Sequence, residues 1–308
     1  MTTAPAEMGA KMGAKMGASV GANALTVDVE DYFQVQAFAD VVPRAAWQDM
    51  PRRVEANTER LLAQFARAGV RGTFFTLGWV AERHPALIRR IVAGGHELAS
   101  HGTWHFRVDS QRPEDFRSDI TRAKAVLEDI GGVAVAGYRA PTFSLGPRTP
   151  WAYAALAETG HRYSSSVYPV RHDLYGAPDA PRFAHRPDGT DLWEIPMTTL
   201  RLAGQNIPCA GGGYFRLLPY WLFRALLRRA LLGRALAGNS NGNNATAALF
   251  YTHPWEIDPE QPRIATPSRL SRFRHYHNLA RTQARLDRLL ADFAWDRLDR
   301  VFPQVLGA

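Results

Sequence analysis

The amino-acid sequence predicts an α/β protein whose strands are parallel. Three observations support this fold class: apolar strands alternate with helical segments, glycines end several of the helical segments, and polar side chains cluster directly after some of the strands. A chain that returns to a parallel neighbouring strand needs a crossover helix, which this alternation supplies. Because 308 residues can hold one large α/β domain, a single barrel with elaborations fits the chain.

The spacing of apolar residues places the individual elements. The predicted strands cover residues 24–29, 71–77, 133–138, 163–167, 193–196 and 247–252. The predicted helices carry apolar faces over residues 54–65, 87–92, 116–130, 151–160, 221–232 and 279–293. Glycines at positions 69, 94–95 and 131–132 end the first three helices, since glycine is common just after a helix.

Two segments have an unusual composition. Residues 1–22 repeat the sequence Met-Gly-Ala-Lys, and a glycine at every fourth position opposes a stable helix, so we expect a disordered tail. The glycine-rich segment 210–215 lacks the strand-to-helix setting and the Lys-Ser/Thr ending of a phosphate-binding loop. We interpret this segment as a loop that approaches a sugar closely.

A histidine pair, His101 and His105, follows a short segment at residues 97–100. Imidazoles at this spacing can share one helical turn or bracket a tight loop, so both can reach one point. Neutral imidazole is the commonest metal ligand, and a hydrolytic metal commonly has three protein ligands and one open position. The alternative is two surface histidines on a glycine-containing loop.

Three acidic residues, Asp28, Glu30 and Asp31, crowd the end of the first predicted strand. Alternation along a strand places Asp28 and Glu30 on one face and Asp31 at the turn. Buried carboxylates are costly unless they are paired, hydrogen-bonded or bound to a metal, and α/β barrels keep their chemistry at the carboxyl ends of strands. The alternative is a helix N-terminus with acidic residues in its first turn. Together with the histidine pair, the acidic cluster favours a metal site.

Five short motifs occur in a characteristic order along the chain. They are Asp-Val-Glu-Asp at 28–31, Ser-His-Gly-Thr-Trp-His at 100–105, Tyr-Arg-Ala-Pro at 138–141, Tyr-Ser-Ser-Ser-Val-Tyr-Pro at 163–169 and Phe-Tyr-Thr-His-Pro-Trp-Glu at 250–256. With this set the chain resembles the NodB-type polysaccharide deacetylases, carbohydrate esterase family 4. More narrowly, it is similar to the branch associated with exosortase/PEP-CTERM exopolysaccharide loci. The resemblance implies a distorted (β/α) barrel of about seven parallel strands in one domain, residues 23–308, of which roughly 180–308 are a family-specific extension.

The resemblance also implies a divalent metal, which we predict to be zinc, held by His101, His105 and one carboxylate. A second carboxylate, Asp28, matches the position of the general base. The commonest family pattern has two adjacent aspartates, whereas a valine follows Asp28 here. The metal carboxylate is Glu30 if an Asp-x-Asp pattern applies and Asp31 if the strand bulges, and the sequence leaves both open.

Two further catalytic roles follow from the resemblance. Arg139 matches the family arginine that orients the catalytic aspartate, although an arginine that caps a strand end is the alternative. His253 matches the general acid that protonates the leaving amine, and an unperturbed pKa of about 6.5 suits that role. The chain departs from the family pattern at Ser164, where an acidic residue is usual, and this departure bears on the contacts that support the site.

Four aromatic residues are candidate walls of a sugar-binding site: Trp104, Tyr138, Tyr214 and Trp255. Aromatic rings offer a large apolar face with a polar edge, which suits a sugar, but such rings also fill protein cores.

Composition restricts the compartment and the partners. The single cysteine, Cys209, excludes an internal disulfide and suits a reducing compartment. No apolar run reaches the roughly 18 residues of a membrane span, and no signal-peptide segment is recognisable, so we expect a cytoplasmic protein. Peripheral contact with the inner membrane stays open. The net charge of +8 raises nucleic acid as a partner, but the basic residues are spread along many helices, and we expect no nucleic-acid binding.

The predicted function is removal of N-acetyl groups from amino sugars of an exopolysaccharide or its precursor, so that an N-acetylated glycan is the expected partner. One alternative is hydrolysis of a cyclic amide such as allantoin by a relative with the same fold. The other alternative is a glycan-binding relative without turnover, which the serine at position 164 keeps open.

Overall fold

The computed structural model of the chain describes residues 21–238, 247–266 and 268–306. The predicted tail, residues 1–22, lies outside the described residues except for Gly21 and Ala22.

Ten strands occur in the described part of the chain, and they include all six of the predicted strands. They are β1 (Asn23–Val29), β2 (Thr73–Thr76), β3 (Glu97–Ser100), β4 (Gly137–Tyr138), β5 (Tyr163–Ser164), β6 (Trp193–Glu194), β7 (Thr199–Leu202), β8 (Gln205–Pro208), β9 (Leu249–Thr252) and β10 (Trp295–Asp296).

Ten α-helices accompany these strands over the same described ranges. They are α1 (Val54–Ala68), α2 (Gly78–Arg83), α3 (Pro85–Ala93), α4 (Pro113–Gly131), α5 (Trp151–Glu158), α6 (Gly212–Leu217), α7 (Tyr220–Gly238), α8 (Arg269–Tyr276), α9 (Leu279–Asp292) and α10 (Leu298–Val301). The predicted apolar faces are buried, as Leu61 of α1, Ile88 of α3 and Leu127 of α4 illustrate. None of the helices in the described ranges combines the length and the hydropathy needed to cross a bilayer.

Eight of the strands form one parallel sheet, as the alternation of elements predicts. The order is β9-β1-β2-β3-β4-β5-β6, and β10 pairs with the start of β1. Strands β7 and β8 form a separate antiparallel hairpin. The register aligns the carboxyl ends of four neighbouring strands, since Val29 pairs with Thr76, Thr76 with Ser100, and Ser100 with Tyr138. The result is a distorted (β/α) barrel.

Strands β4 and β5 are shorter than predicted, and side chains take over backbone hydrogen bonds in the segments beside them. In the segment before β4, the Val135 N–H donates to Glu128 and the Val135 carbonyl accepts from Lys124, both side chains of α4. After β5, the N–H groups of residues 166 and 167 donate to the carboxylate of Glu194. The apolar pattern of these segments reflects burial, but some of their backbone N–H and C=O groups bind side chains and not a neighbouring strand.

The prediction of a loop over residues 210–215 is wrong, because helix α6 begins at Gly212. A Cβ atom at Gly212 would lie 1.6 Å from the Glu256 carboxylate, and one at Gly211 would lie 2.0 Å from the Tyr251 ring. The glycines therefore allow the backbone to approach buried side chains of the same protein.

Candidate active site

The predicted functional side chains gather at the carboxyl end of the sheet. Glu30 directly follows β1, His101 follows β3, Arg139 follows β4 and His253 follows β9. Asp28 lies near the end of β1 itself, and its carbonyl accepts a hydrogen bond from the Glu30 N–H at 3.1 Å, which tightens the turn. Parallel strands bring their carboxyl ends to one edge, so residues more than 200 positions apart in sequence meet there.

Glu30, His101 and His105 form a compact buried group. One ligand atom from each residue lies within 4.8 Å of the other two. Glu30 Oε2 is 2.8 Å from His105 Nε2 and has no well-aligned hydrogen-bond partner among the described residues. One carboxylate oxygen and two imidazole nitrogens are a donor set that suits a divalent metal and leaves positions open.

A hydrogen bond determines which nitrogen of His101 faces this group. His101 Nδ1 lies 2.8 Å from the Arg139 carbonyl oxygen, which can only accept a proton. Nδ1 is therefore the N–H donor and Nε2 carries the free lone pair, the arrangement typical of a metal-ligating histidine. Burial lowers the pKa of His101 to about 4, which keeps the ring neutral and able to ligate.

The loop that carries His105 is held in an uncommon conformation. His105 has a φ of 53°, in the left-handed region that non-glycine residues rarely occupy. The Arg44 guanidinium donates to the carbonyls of Trp104 and His105 at 2.6 and 2.8 Å, and so holds this turn. Gly102 also has a positive φ, and a Cβ atom there would lie 2.8 Å from an Asp119 carboxylate oxygen. The turn explains how two histidines four residues apart reach one point without a helix.

Asp28 is bound to a fully buried arginine. Arg139 Nη1 donates to Asp28 Oδ1 at 2.6 Å and to the Thr26 hydroxyl at 2.8 Å. Nε and Nη2 donate to the carbonyl and the hydroxyl of Ser165 at 2.9 and 3.1 Å. With Oδ1 held by Arg139, Oδ2 of Asp28 faces His253 Nε2 at 3.8 Å. The arginine thus fixes one carboxylate oxygen and leaves the other directed into the site.

His253 lies between three carboxylates. Its Nε2 is 3.6 Å from Glu30 Oε1, and its Nδ1 is 3.1 Å from Glu256 Oε1. Burial lowers the pKa of His253, but the hydrogen bond and charge of Glu256 and the charges of Glu30 and Asp28 raise it to about 9. Arg216 lies 3.7 Å from Glu256 and lowers the pKa of that carboxyl despite its burial. His253 is therefore cationic at neutral pH and carries an N–H on both ring nitrogens.

The Glu30 carboxylate is ionised because histidines surround it. Burial by itself raises the pKa of the Glu30 carboxyl, but electrostatic interactions with the imidazole of His105, and to a lesser extent with those of His253 and His101, lower it to about 2.

Asp31 does not join the group of Glu30, His101 and His105. Its Oδ1 accepts from the Tyr32 N–H at 2.9 Å, and its Oδ2 accepts from the N–H groups of Arg53 and Val54 at 2.8 and 3.0 Å. These last two groups begin α1 and would otherwise be unpaired. Asp31 is thus a helix-terminal acceptor, which is the alternative considered for the acidic cluster.

A cavity of about 340 Å³ opens beside these residues. Tyr214 and Trp255 line it, as predicted for two of the aromatic walls. The Trp255 ring is stacked between His253 and His275, with centroids 5.1 and 4.2 Å away, and its Nε1 donates to Glu30 at 3.3 Å. Trp255 therefore holds the site together and shows only its edge to the cavity.

The other two predicted walls are wrong. Tyr138 is buried in the core against Phe116 and His161, at centroid distances of 5.8 Å for each pair. The Trp104 ring packs against the Trp47 ring, with centroids 6.4 Å apart, and Trp104 does not line the cavity. Both lie next to site residues in sequence, but their side chains point to the opposite side of the backbone.

Ser164 does not leave the site unsupported. Its hydroxyl donates to the hydroxyl of Ser166 at 2.7 Å, and Ser165 binds Arg139 directly. The buried carboxylate in this region is Glu194 of β6, which accepts from the backbone N–H of Ser166. Supporting contacts thus come from backbone, hydroxyl groups and a glutamate from another strand.

Sequence reasoning missed three residues of the site: Arg44, Arg216 and Glu256. Glu256 had a detectable signal, because it stands three residues after His253, a spacing at which side chains meet in a helical turn. Arg44 and Arg216 had no such signal, because the carbonyl groups that their guanidinium groups bind lie 58 to 61 positions away in sequence.

Comparison with known families divides the chain into two parts. Residues 45–163 match the family model described as polysaccharide deacetylase. Residues 165–303 match a domain of unknown function, DUF3473. The site draws on both parts and on β1: His101, His105 and Arg139 lie in the first match, and His253 lies in the second.

A curated relative agrees with the first match. A peptidoglycan-N-acetylglucosamine deacetylase from Bacillus cereus is 29% identical over 84 residues, which are 27% of this chain and 30% of that protein. The similar region thus spans less than a third of the length of that relative.

Solved structures of similar fold cover nearly the whole chain. A protein from Mycobacterium smegmatis assigned to the polysaccharide deacetylases is 22% identical, covers 92% of this chain and 89% of its own, and has a TM-score of 0.57. The Puue allantoinase is 16% identical, with coverages of 93% and 90% and a TM-score of 0.55. A CE4 family pseudoenzyme from Bacillus anthracis is 11% identical, with coverages of 91% and 65% and a TM-score of 0.50. At these identities the similarity confirms the predicted fold class.

Proposed function

We propose that this chain, which carries a polysaccharide deacetylase domain, is a metal-dependent hydrolase that removes N-acetyl groups from amino sugars of an exopolysaccharide or its precursor. One observation carries the proposal: three metal-ligand candidates, an arginine-bound aspartate and a cationic histidine converge on one cavity. Amide hydrolysis needs an activated nucleophile, a polarised carbonyl and a proton for the departing nitrogen.

Glu30, His101 and His105 are the residues that would hold the metal. A carboxylate with two histidines is a ligand set used by catalytic zinc, so we propose zinc. When bound, the metal would activate a water molecule and polarise the acetyl carbonyl.

Asp28 is the general base in this proposal. Its Oδ2 is not bound to Arg139, and Asp28 lines the same cavity as the candidate ligands, so this oxygen can accept a proton from the attacking water. Arg139 is fully buried, and its hydrogen bonds to Asp28, Thr26 and Ser165 keep the carboxylate from rotating.

His253 is the general acid. Its pKa of about 9 keeps it protonated at neutral pH, and its Nε2 lies on the cavity side, opposite the Nδ1 that Glu256 holds. The departing sugar nitrogen can therefore take a proton from Nε2 while Glu256 compensates the charge.

The cavity volume supports a sugar substrate, and the single cysteine supports the proposed compartment. A volume of about 340 Å³ is in the range of small-molecule sites and admits one sugar residue with its acetyl group. Cys209 is buried and unpaired, as suits the reducing cytoplasm in which we propose that the enzyme works.

Acetate release from N-acetylglucosamine oligomers tests the proposal, measured for the wild type with and without a chelator and for His101→Ala. We expect the chelator and the substitution each to abolish release. His84→Ala is the matched control, because His84 lies outside the cavity lining and pairs with Glu55 of α1, and it should keep wild-type activity.

Two outcomes would replace the proposal with one of its alternatives. Hydrolysis of allantoin without acetate release would assign a cyclic-amide hydrolase. Binding of the oligomers by the zinc-loaded protein without acetate release would assign a glycan-binding relative.

A further inference from the structure

One face beside the cavity is strongly cationic. Between Glu260 and Asp287 the sequence has no acidic residue and six arginines, at positions 263, 269, 272, 274, 281 and 285. Helix α8 lies in this segment and carries three of them within six positions.

The arginines of this face differ in their partners. Arg274 forms an ion pair with Asp173 at 2.9 Å. Arg263 lies over the Tyr276 ring at 4.3 Å, and no carboxylate within the described ranges forms an ion pair with Arg263, Arg269 or Arg272. These three arginines line one open depression beside the catalytic cavity. Their charges are available for an anionic partner.

Apolar side chains stand between these arginines. Leu270 and Phe273 are 51% and 50% exposed, and their spacing of three residues places them on the same face of α8. Exposed apolar side chains beside arginines on one helix are the residue types that meet the acyl and phosphate groups at the interface of an anionic bilayer.

The helix is fixed to the protein on its other side. His275 is buried and stacked on Trp255, and the Arg216 guanidinium donates to the carbonyls of residues 274, 275 and 277 at 2.9 to 3.0 Å. The outward face is thus presented by a rigid element that is bound directly to the site.

The same face adjoins the mouth of the catalytic cavity. Phe273 lines the cavity together with Leu217 and Leu174, which are 48% and 41% exposed. The rim of the mouth is therefore apolar at three points and cationic alongside them.

We propose that α8 and this rim dock on an anionic bilayer, with the mouth of the cavity facing the lipid. The arginines meet the lipid phosphates, and Leu270 and Phe273 enter the headgroup region. The exposed apolar side chains favour a bilayer over a purely polar polyanion. It follows, if the proposed deacetylase function holds, that the enzyme takes its sugar from a glycan presented at the bilayer surface.

Flotation of the full chain with vesicles tests the docking without any enzymatic assay, so the result is independent of the proposed function. We expect the wild type to float with vesicles of phosphatidylglycerol and phosphatidylcholine and to stay behind with phosphatidylcholine alone. Arg269→Gln with Arg272→Gln should weaken the binding by roughly fivefold for each charge. Leu270→Ser with Phe273→Ser should also weaken it.

The control is Arg67→Gln with Arg89→Gln, which removes two exposed arginines from α1 and α3 and should bind as the wild type. Equal flotation with both vesicle types would overturn the proposal. It would also be overturned if both α8 variants bound as the wild type while Trp221→Ser with Leu232→Ser, on the exposed face of α7, lost binding.

Discussion

Two buried glutamates of the same sheet, Glu30 at the carboxyl end of β1 and Glu97 at the start of β3, have opposite protonation behaviour. Both side chains are almost inaccessible to solvent. The pKa of Glu30 falls to about 2, whereas burial and the charge of Asp299 raise the pKa of Glu97 to about 7. Glu30 faces three histidines, and Glu97 faces an aspartate and the hydroxyls of Thr73 and Tyr163 at 2.6 and 2.7 Å.

The comparison shows that burial alone does not decide whether a buried carboxyl group is ionised. Desolvation raises the pKa of both groups, and the sign of the neighbouring charges decides the outcome. At the carboxyl end, the side chains following the strands place cationic or metal-binding groups around Glu30. Near the other end, the surroundings of Glu97 favour a proton, and the glutamate serves the packing of β3 against α10.

The largest expected effect concerns Glu30, the ionised glutamate of this pair. Glu30→Gln keeps the shape of the side chain and removes the charge that the histidines and a metal require. We expect bound metal, measured by elemental analysis, to be lost and acetate release to fall at least about a hundredfold. Glu97→Gln is the control, since it should keep its metal; equal metal loss in both variants would refute the distinction.

The next effect concerns Glu256, which is ionised beside Arg216 and holds His253. Glu256→Gln keeps a hydrogen-bond acceptor for Nδ1 but removes the compensating charge. Acetate release should fall about 10- to 100-fold with unchanged metal content, because the acid and not the ligand set is affected. A wild-type rate would remove Glu256 from the site.

Asp31 directly follows Glu30 in the sequence, but its carboxylate accepts hydrogen bonds from backbone N–H groups. Asp31→Asn places an amide N–H₂ against backbone donors and should lower the free energy of unfolding by about 1–3 kcal/mol. Chemical denaturation measures this change. Metal content should match the wild type, and loss of metal would return Asp31 to the ligand set.

The smallest effect is the pH dependence that Glu97 contributes. Its pKa in the folded protein is raised from 4.5 to about 7, so the folded state holds a proton that the unfolded state releases. This contribution to stability is fully present below pH 4.5 and is lost as the pH rises to about 7. In urea unfolding, the free energy of unfolding of the wild type should fall by roughly 1 kcal/mol or more across that interval. In Glu97→Gln this decline should be absent. A parallel decline in both proteins would assign it to other groups.

Local sequence patterns predicted which helices and strands exist better than they predicted where these elements begin and end. The helices at α1, α3 and α4 and the buried strand β1 followed from apolar spacing, because each covers several turns or a full run of apolar residues. Strands β4 and β5 are only two residues long, because Lys124, Glu128 and Glu194 supply hydrogen bonds to the adjoining segments that only tertiary contact reveals.

The sequence by itself determined which residues could meet: polar side chains directly after apolar strands must lie at one edge of a parallel sheet. Only the tertiary structure showed that Glu30 lies beside the histidine pair and that Asp31 does not, because this depends on whether α1 begins close enough to use Asp31 as an acceptor. It also decided that Trp104 and Tyr138 pack inward and that Glu256 and Arg216 complete the site. The physical reason is that strand alternation acts locally, whereas charge compensation and hydrogen bonding join groups from distant parts of the chain.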